Sequence, residues 1–200
     1  MNADEPSFYI LSVNFATMAN SPQIVALALG SNLGNKLNYL KQATTLISKS
    51  ASFELLHTSS IYKSKSHGFT SDSFLNNVIL IRCIVNPNEL LSILKEIEKQ
   101  LGRIKNGKRN QVYTDRIIDI DIIFYGNISV NTSELIIPHP EATNRNFVLV
   151  PLLELKTFPI VSGNRFMETI VNLRANEDTE LVSTKSKEYL DWFNACKIRH

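Results

Sequence analysis

Apolar positions recur along the chain with different rhythms, and each rhythm predicts a different element. Gln23 to Leu29 (QIVALAL) is a short continuous apolar run closed by Gly30, as expected of a buried strand. After the turn Gly30-Ser31-Asn32-Leu33-Gly34, the positions Leu37, Leu40, Thr44 and Ile47 return at helical spacing. Phe53 to Tyr62 and Phe74 to Val85 are β-rich and roughly alternating, which predicts two strands. Between them lies a polar loop, Lys63 to Ser73, holding His67-Gly68. That order puts the loop at a sheet end, where ligands commonly sit.

A well-signposted helix follows. Asn86 is its N-cap, Pro87 its first residue and Glu89 the reciprocal partner three residues after the cap. Leu90, Leu94, Ile97 and Leu101 form the apolar stripe, and Gly102 ends it. Beyond a basic loop comes the strongest strand, Arg116 to Tyr125. Gly126-Asn127 then turns the chain into weaker strands ending at Pro138-His139-Pro140. Asn144 to Leu155 reads as a mostly apolar helix, and the pattern weakens from Thr157. A last amphipathic stretch, Tyr189 to Ile198, puts Tyr189, Trp192, Phe193 and Cys196 on one side, as in a packed terminal helix. The order β-α-β-β-α-β predicts an α+β fold in one domain, a ferredoxin-like antiparallel sheet with helices on one face. Residues 1–22 read as an N-terminal extension, 23–175 as the domain and 176–200 as a C-terminal extension carrying the amphipathic helix.

Composition narrows the class. With 200 residues, 44% hydrophobic and 20% charged, the chain is long enough for a real core and unlike a disordered or collagen-like protein. Lys+Arg 21 against Asp+Glu 19 leaves a net charge of +2, which argues against a nucleic-acid or membrane-surface partner. Cys83 and Cys196 are too few and too far apart for a disulfide framework, and read as reduced thiols of a cytoplasmic protein. No apolar run approaches the length that spans a bilayer.

Chemistry concentrates in Ile117-Ile118-Asp119-Ile120-Asp121-Ile122-Ile123-Phe124. Strict alternation sends Ile118, Ile120, Ile122 and Phe124 into the core, with Asp119 and Asp121 together on the other face. At the usual strand rise the two Cα atoms lie about 6.5 to 7 Å apart. Such carboxylates repel each other unless a cation sits between them, and hard oxygen donors favour Mg²⁺. Solvated acids on a wet strand face are the plainer reading of the pair by itself. Just ahead, Arg103, Lys105, Lys108, Arg109 and Arg116 accompany a single acid, Asp115. That excess suits a nucleoside triphosphate, whose oxygens basic side chains neutralise. A P-loop is excluded, because GSNLGNK at Gly30 to Lys36 has the wrong spacing and no Ser or Thr follows Lys36.

Six segments in order, ALGSNLG (Ala28 to Gly34), SSIYKS (Ser59 to Ser64), FLNNV (Phe74 to Val78), EKQLGR (Glu98 to Arg103), RIIDIDIIFYG (Arg116 to Gly126) and PHPEATNRNFVLVPL (Pro138 to Leu152), resemble one family. It is that of 6-hydroxymethyl-7,8-dihydropterin pyrophosphokinase, the ATP-dependent enzyme of folate biosynthesis, and the resemblance spans about Ile24 to Leu155. It implies a monomer that transfers a pyrophosphoryl group from MgATP to the pterin hydroxymethyl oxygen, releasing AMP. Asp119 and Asp121 match the pair holding two magnesium ions, and Arg103 and Arg116 match phosphate-contacting residues. Glu98, Lys105, Arg109, Ile122, His139 and Arg145 complete the implied ATP site. On the pterin side, Asn76 matches the amide reading the ring's polar edge, Phe147 and Tyr113 the stacking aromatics, Phe74 a lining aromatic and Ser64 a residue whose backbone lines the pocket.

The sequence departs from the family pattern in its catalytic loop. That loop is commonly shorter, with Trp where Tyr113 stands, Arg where Lys105 stands and a further Arg near Val112. Pro140 occupies a position where Tyr is common. Two other classes compete: a catalytically silent pterin- or nucleotide-binding module on the same fold, and a small RNA-binding ferredoxin-like domain. Retention of both aspartates speaks against the first, and the lack of a basic face with exposed aromatics against the second.

Overall fold

The structure is a computed structural model that describes residues 21–65, 72–103, 116–170 and 179–197. Its centre is β1 (Gln23–Ser31), flanked antiparallel by β4 (Phe74–Cys83) and β5 (Asp119–Tyr125). On its other side β4 receives two short strands in succession, β2 (Phe53–Thr58) along one half and β3 (Tyr62–Ser64) along the other. The sequence pattern predicts a single strand from Phe53 to Tyr62. It breaks because the peptide N–H groups of Ser60 and Ile61 leave the ladder for side-chain oxygens of Glu154 and Ser186. A further strand, β8 (Thr179–Leu181), continues the sheet beyond β3. The hairpin β6 (Val130–Asn131) and β7 (Ile136–Ile137) forms a separate small sheet.

Both faces of the main sheet are covered. Under one lie α1 (Lys36–Ser48), α2 (Pro87–Gln100) and α5 (Ser183–Lys197), packing Leu40, Leu90, Leu94, Tyr189 and Phe193 against Val25, Leu27, Ile79 and Ile81. On the other lie α3 (Asn146–Leu155) and α4 (Arg165–Ile170), with Leu149, Leu152 and Met167 against Ala26, Val78 and Leu80. The expectation of helices on one face holds for the two crossover helices and misses α3 and α4. The expected N-cap of α2 is present in full: Asn86 accepts from the Asn88 and Glu89 N–H groups, and Glu89 accepts from the Asn86 N–H.

One strand departs from strict alternation. Leu27 pairs with Ile122 and Ala26 with Phe124, so Ile123 is an extra residue in β5. This bulge turns Phe124 to the α3 side, among Ala26 and Leu149, rather than beside Ile120 and Ile122. Asp119 and Asp121 precede the bulge and share the α3 side of the sheet.

Candidate active site

Asn76 on β4 and Asp119 on β5 both pair with Gly30 of β1; two residues along, Val78 and Asp121 both pair with Ala28. Asn76, Gly30 and Asp119 therefore form one row across three strands. With neighbouring strands about 4.8 Å apart, the row spans about 10 Å. A Cβ at Gly30 would sit 3.1 Å from Asn76 Oδ1 and 3.8 Å from Phe74 Cδ1, so the missing side chain is what lets both lean over β1. Asn76 is buried and donates from Nδ2 to Ser64 Oγ at 3.0 Å. Ser64, Phe74 and Asn76 thus gather at one end of the row. On β3, opposite Asn76, Tyr62 donates its hydroxyl to Glu154 Oε2 on α3 at 3.0 Å. Phe147, in the first turn of α3, packs onto the cluster that Ala28 borders, with the Arg145 guanidinium 6.0 Å from its ring centre.

The other end of the row is ionic. Arg103, just past α2, pairs with Glu98 and lies 2.6 Å from Asp119 Oδ1; Arg116 holds the second oxygen of Asp119. Glu98 Oε1 also accepts the Ile120 N–H at 2.8 Å, capping the outer edge of β5. Burial pushes the Glu98 carboxyl up to about 7; the Asp119 charge adds to the rise, while Arg103 and the Ile120 N–H oppose it. Asp121 is likewise raised, first by burial and then by Asp119, against the pull of Arg145, Arg116 and Arg103. Removal from water and a like charge therefore make this carboxylate pair a place where cationic charge is stabilising.

Arg116 is fixed by its backbone: its N–H donates to Asn32 Oδ1 at 2.6 Å, and its carbonyl accepts the Asn32 N–H at 3.1 Å. His139 sits by β5 through its N–H to the Ile123 carbonyl, 2.9 Å. Burial, and then the Arg145 charge, lower its pKa. Since Nδ1 accepts the Glu141 N–H at 3.2 Å, the proton of the neutral ring rests on Nε2, a ready donor. The Ile122 side chain is buried in the core on the opposite face from the aspartates, as alternation predicts, so only its main chain borders the site. Lys105, Arg109 and Tyr113 lie outside the described residues.

The family model of 7,8-dihydro-6-hydroxymethylpterin-pyrophosphokinase (HPPK) matches residues 26–157. The chain belongs to the HPPK family. It is 37% identical over 133 residues to the 2-amino-4-hydroxy-6-hydroxymethyldihydropteridine pyrophosphokinase of Bacillus subtilis (strain 168), a match covering 66% of this chain and 77% of that protein. A folate synthesis bifunctional protein of Arabidopsis thaliana is 41% identical over 132 residues, but only 26% of its length is spanned. Among solved structures, the wild-type HPPK-DHPS of Plasmodium falciparum crystallised with pteroate superposes with a TM-score of 0.58 at 13% identity, over 81% of this chain and 46% of that one. At that identity the likeness speaks for the fold.

Among the described residues, no group of three or more His, Cys, Asp or Glu side chains is arranged to hold a metal ion. The pair Asp119 and Asp121 nevertheless fits Mg²⁺, which binds through one or two carboxylates and takes its remaining ligands from phosphates and water. Three residues at this HPPK site were not singled out from sequence: Asn32, Gly30 and Glu154. Asn32 and Gly30 lie in the G-S-N turn, which enters the family resemblance as a segment without either residue being given a role. Glu154 looks like an ordinary helix acid until its partners on the β2–β3 link are seen.

Proposed function

We propose that this chain transfers a pyrophosphoryl group from ATP to the hydroxymethyl oxygen of 6-hydroxymethyl-7,8-dihydropterin, a step of folate biosynthesis. The hydroxymethyl oxygen bonds to the β-phosphorus of ATP as the bond from that phosphorus to the α–β bridging oxygen breaks. AMP departs with that oxygen, and the hydroxyl proton passes to water. The observation that carries this reading is the row Asn76, Gly30, Asp119: an amide suited to the polar edge of a flat ring, a bare backbone, and a carboxylate between two arginines.

Asp119 and Asp121 would hold the magnesium, two ions by the family pattern, which when bound neutralises triphosphate charge. The phosphates draw Arg103 and Arg116 away from Asp119, and both guanidiniums then face oxygens whose charge changes during transfer. Arg145 and the Nε2–H of His139 serve the nucleotide from the α3 side. Asn76 orients the pterin through its edge, beside Ser64, while Phe74 and Phe147 offer ring faces. Positioning does most of the work, so no side chain is assigned as general base. No helix among the described residues is long and apolar enough to cross a membrane, and we take the enzyme to act as a cytoplasmic monomer.

Incubation with MgATP and the pterin, followed by nucleotide separation, tests the proposal. AMP and pterin diphosphate should appear in equal amounts. Formation of ADP, or of no product, would overturn it.

A further inference from the structure

We infer that the C-terminal segment Thr179–Lys197 is a positioning element of the pterin pocket, acting through Ser186 and Tyr189. The inference rests on the function proposed above for Ser64 and Asn76. The segment lies outside the residues that match the family model. It grips the sheet at two points, one three residues ahead of Ser64 and the other next to Asn76.

The first point is Ile61, fully buried and immediately ahead of β3. Its N–H donates to Ser186 Oγ at 2.9 Å, and its carbonyl accepts the Val182 N–H at 2.9 Å. A buried peptide needs such partners, because water cannot supply them. From there β8 runs beside β3, placing Thr179 opposite Ser64. The second point is Asn77. Its Nδ2 donates to Thr58 Oγ1 at 3.1 Å and to the Tyr189 hydroxyl at 3.3 Å. That hydroxyl lies 2.8 Å from Thr44 Oγ1, whose single proton goes to the Leu40 carbonyl. Tyr189 must therefore donate to Thr44, and the chain of donors runs from Asn77 through Tyr189 and Thr44 to α1. Because strand residues alternate, Asn77 faces the helix layer while Asn76 faces the pocket. Fixing Asn77 from below sets the backbone that aims Asn76, and fixing Ile61 sets the strand that presents Ser64. The two pocket residues then meet in their 3.0 Å hydrogen bond. Cover for the apolar underside alone would be served by Phe at 189 and Ala at 186.

Tyr189→Phe and Ser186→Ala test this, with Ser186→Thr as the conservative partner. Glu188→Gln, which alters only the exposed pair with Lys41, is the control on the same helix. Steady-state kinetics should show the KM for the pterin rising about three- to tenfold in Tyr189→Phe and Ser186→Ala. kcat and the KM for ATP should stay near wild type, Ser186→Thr should recover, and Glu188→Gln should not differ. Titration of pterin fluorescence with an ATP analogue that cannot transfer should show the same loss. Unchanged pterin KM and affinity in both variants overturns the inference. So does a uniform fall in active enzyme, with a lower Tm and no selectivity for the pterin. If wild type makes no AMP, the proposed reaction fails, and the fluorescence titration still decides the role of the segment.

Discussion

Asn76 and Asp119 are register partners of one residue, Gly30, from its two sides. Under the proposed function, a pterin held by its polar edge at Asn76 would point its opposite edge, which carries the hydroxymethyl group, along the row toward Asp119. The gap of two strand spacings, about 10 Å, is about the length of the bicyclic ring with its substituent. Strand register, set by the apolar runs of β1 and β4, fixes the distance between Asn76 and Asp119, and on the proposed function that is the distance between recognition and chemistry.

Gly30→Ala should raise the KM for the pterin selectively. The new Cβ meets Asn76 Oδ1 at 3.1 Å, closer than ordinary contact, so the amide must shift. Steady-state kinetics should show a pterin KM up by about tenfold, with the ATP KM within about twofold of wild type. Equal changes in both would mean that the row is not the pterin's floor.

Asp121→Asn should reduce AMP formation by about a thousandfold or more, since a carboxamide gives up the charge that phosphate-bridging cations require. Its Tm should match or exceed that of wild type, because the substitution removes a half-buried carboxylate that repels Asp119. Activity near wild type would refute the assignment of this residue to the metal.

Much of this was legible in the sequence, for identifiable reasons. The capping box at Asn86 and the stripe from Leu90 to Leu101 are local signals, and α2 forms as they dictate. Asp119 and Asp121 share a face because two residues of strand suffice to decide it. Phe124 was misplaced because the bulge at Ile123 arises from pairing with β1, which no local alternation encodes. The break between β2 and β3 depends on Glu154 and Ser186, 94 and 125 residues further along. β8 is only three residues long and follows a stretch of weak pattern, too brief for its own periodicity to stand out.

Stability should fall as pH rises through the window set by Glu98. Its folded-state carboxyl is raised from 4.5 to about 7, so between those values the folded protein keeps a proton that the unfolded chain has lost. The Glu98 contribution is thus most favourable below about pH 4.5, declines toward pH 7 and then levels, with a full span of about 3 kcal/mol as an upper bound. Asp121, also raised, adds a slope of the same sign at the acidic end. Urea unfolding of Glu98→Gln across this range should show a flatter profile than wild type. A slope as steep as wild type would remove Glu98 as its source.

Asn32→Ala should uncouple Arg116 from the sheet while leaving the pterin end largely intact. The Arg116 N–H loses its acceptor at 2.6 Å, in a partly buried position where an unmade hydrogen bond costs about 1–3 kcal/mol. The Asn32 N–H still reaches the Arg116 carbonyl, so the end of β1 keeps its course. The loss should therefore fall on nucleotide handling: a higher KM for ATP and a lower kcat, with the pterin KM changing less than either. Urea unfolding should show the corresponding drop in stability. Were the pterin KM to rise alone, Asn32 would belong to the substrate pocket rather than to the arginine that faces the phosphates.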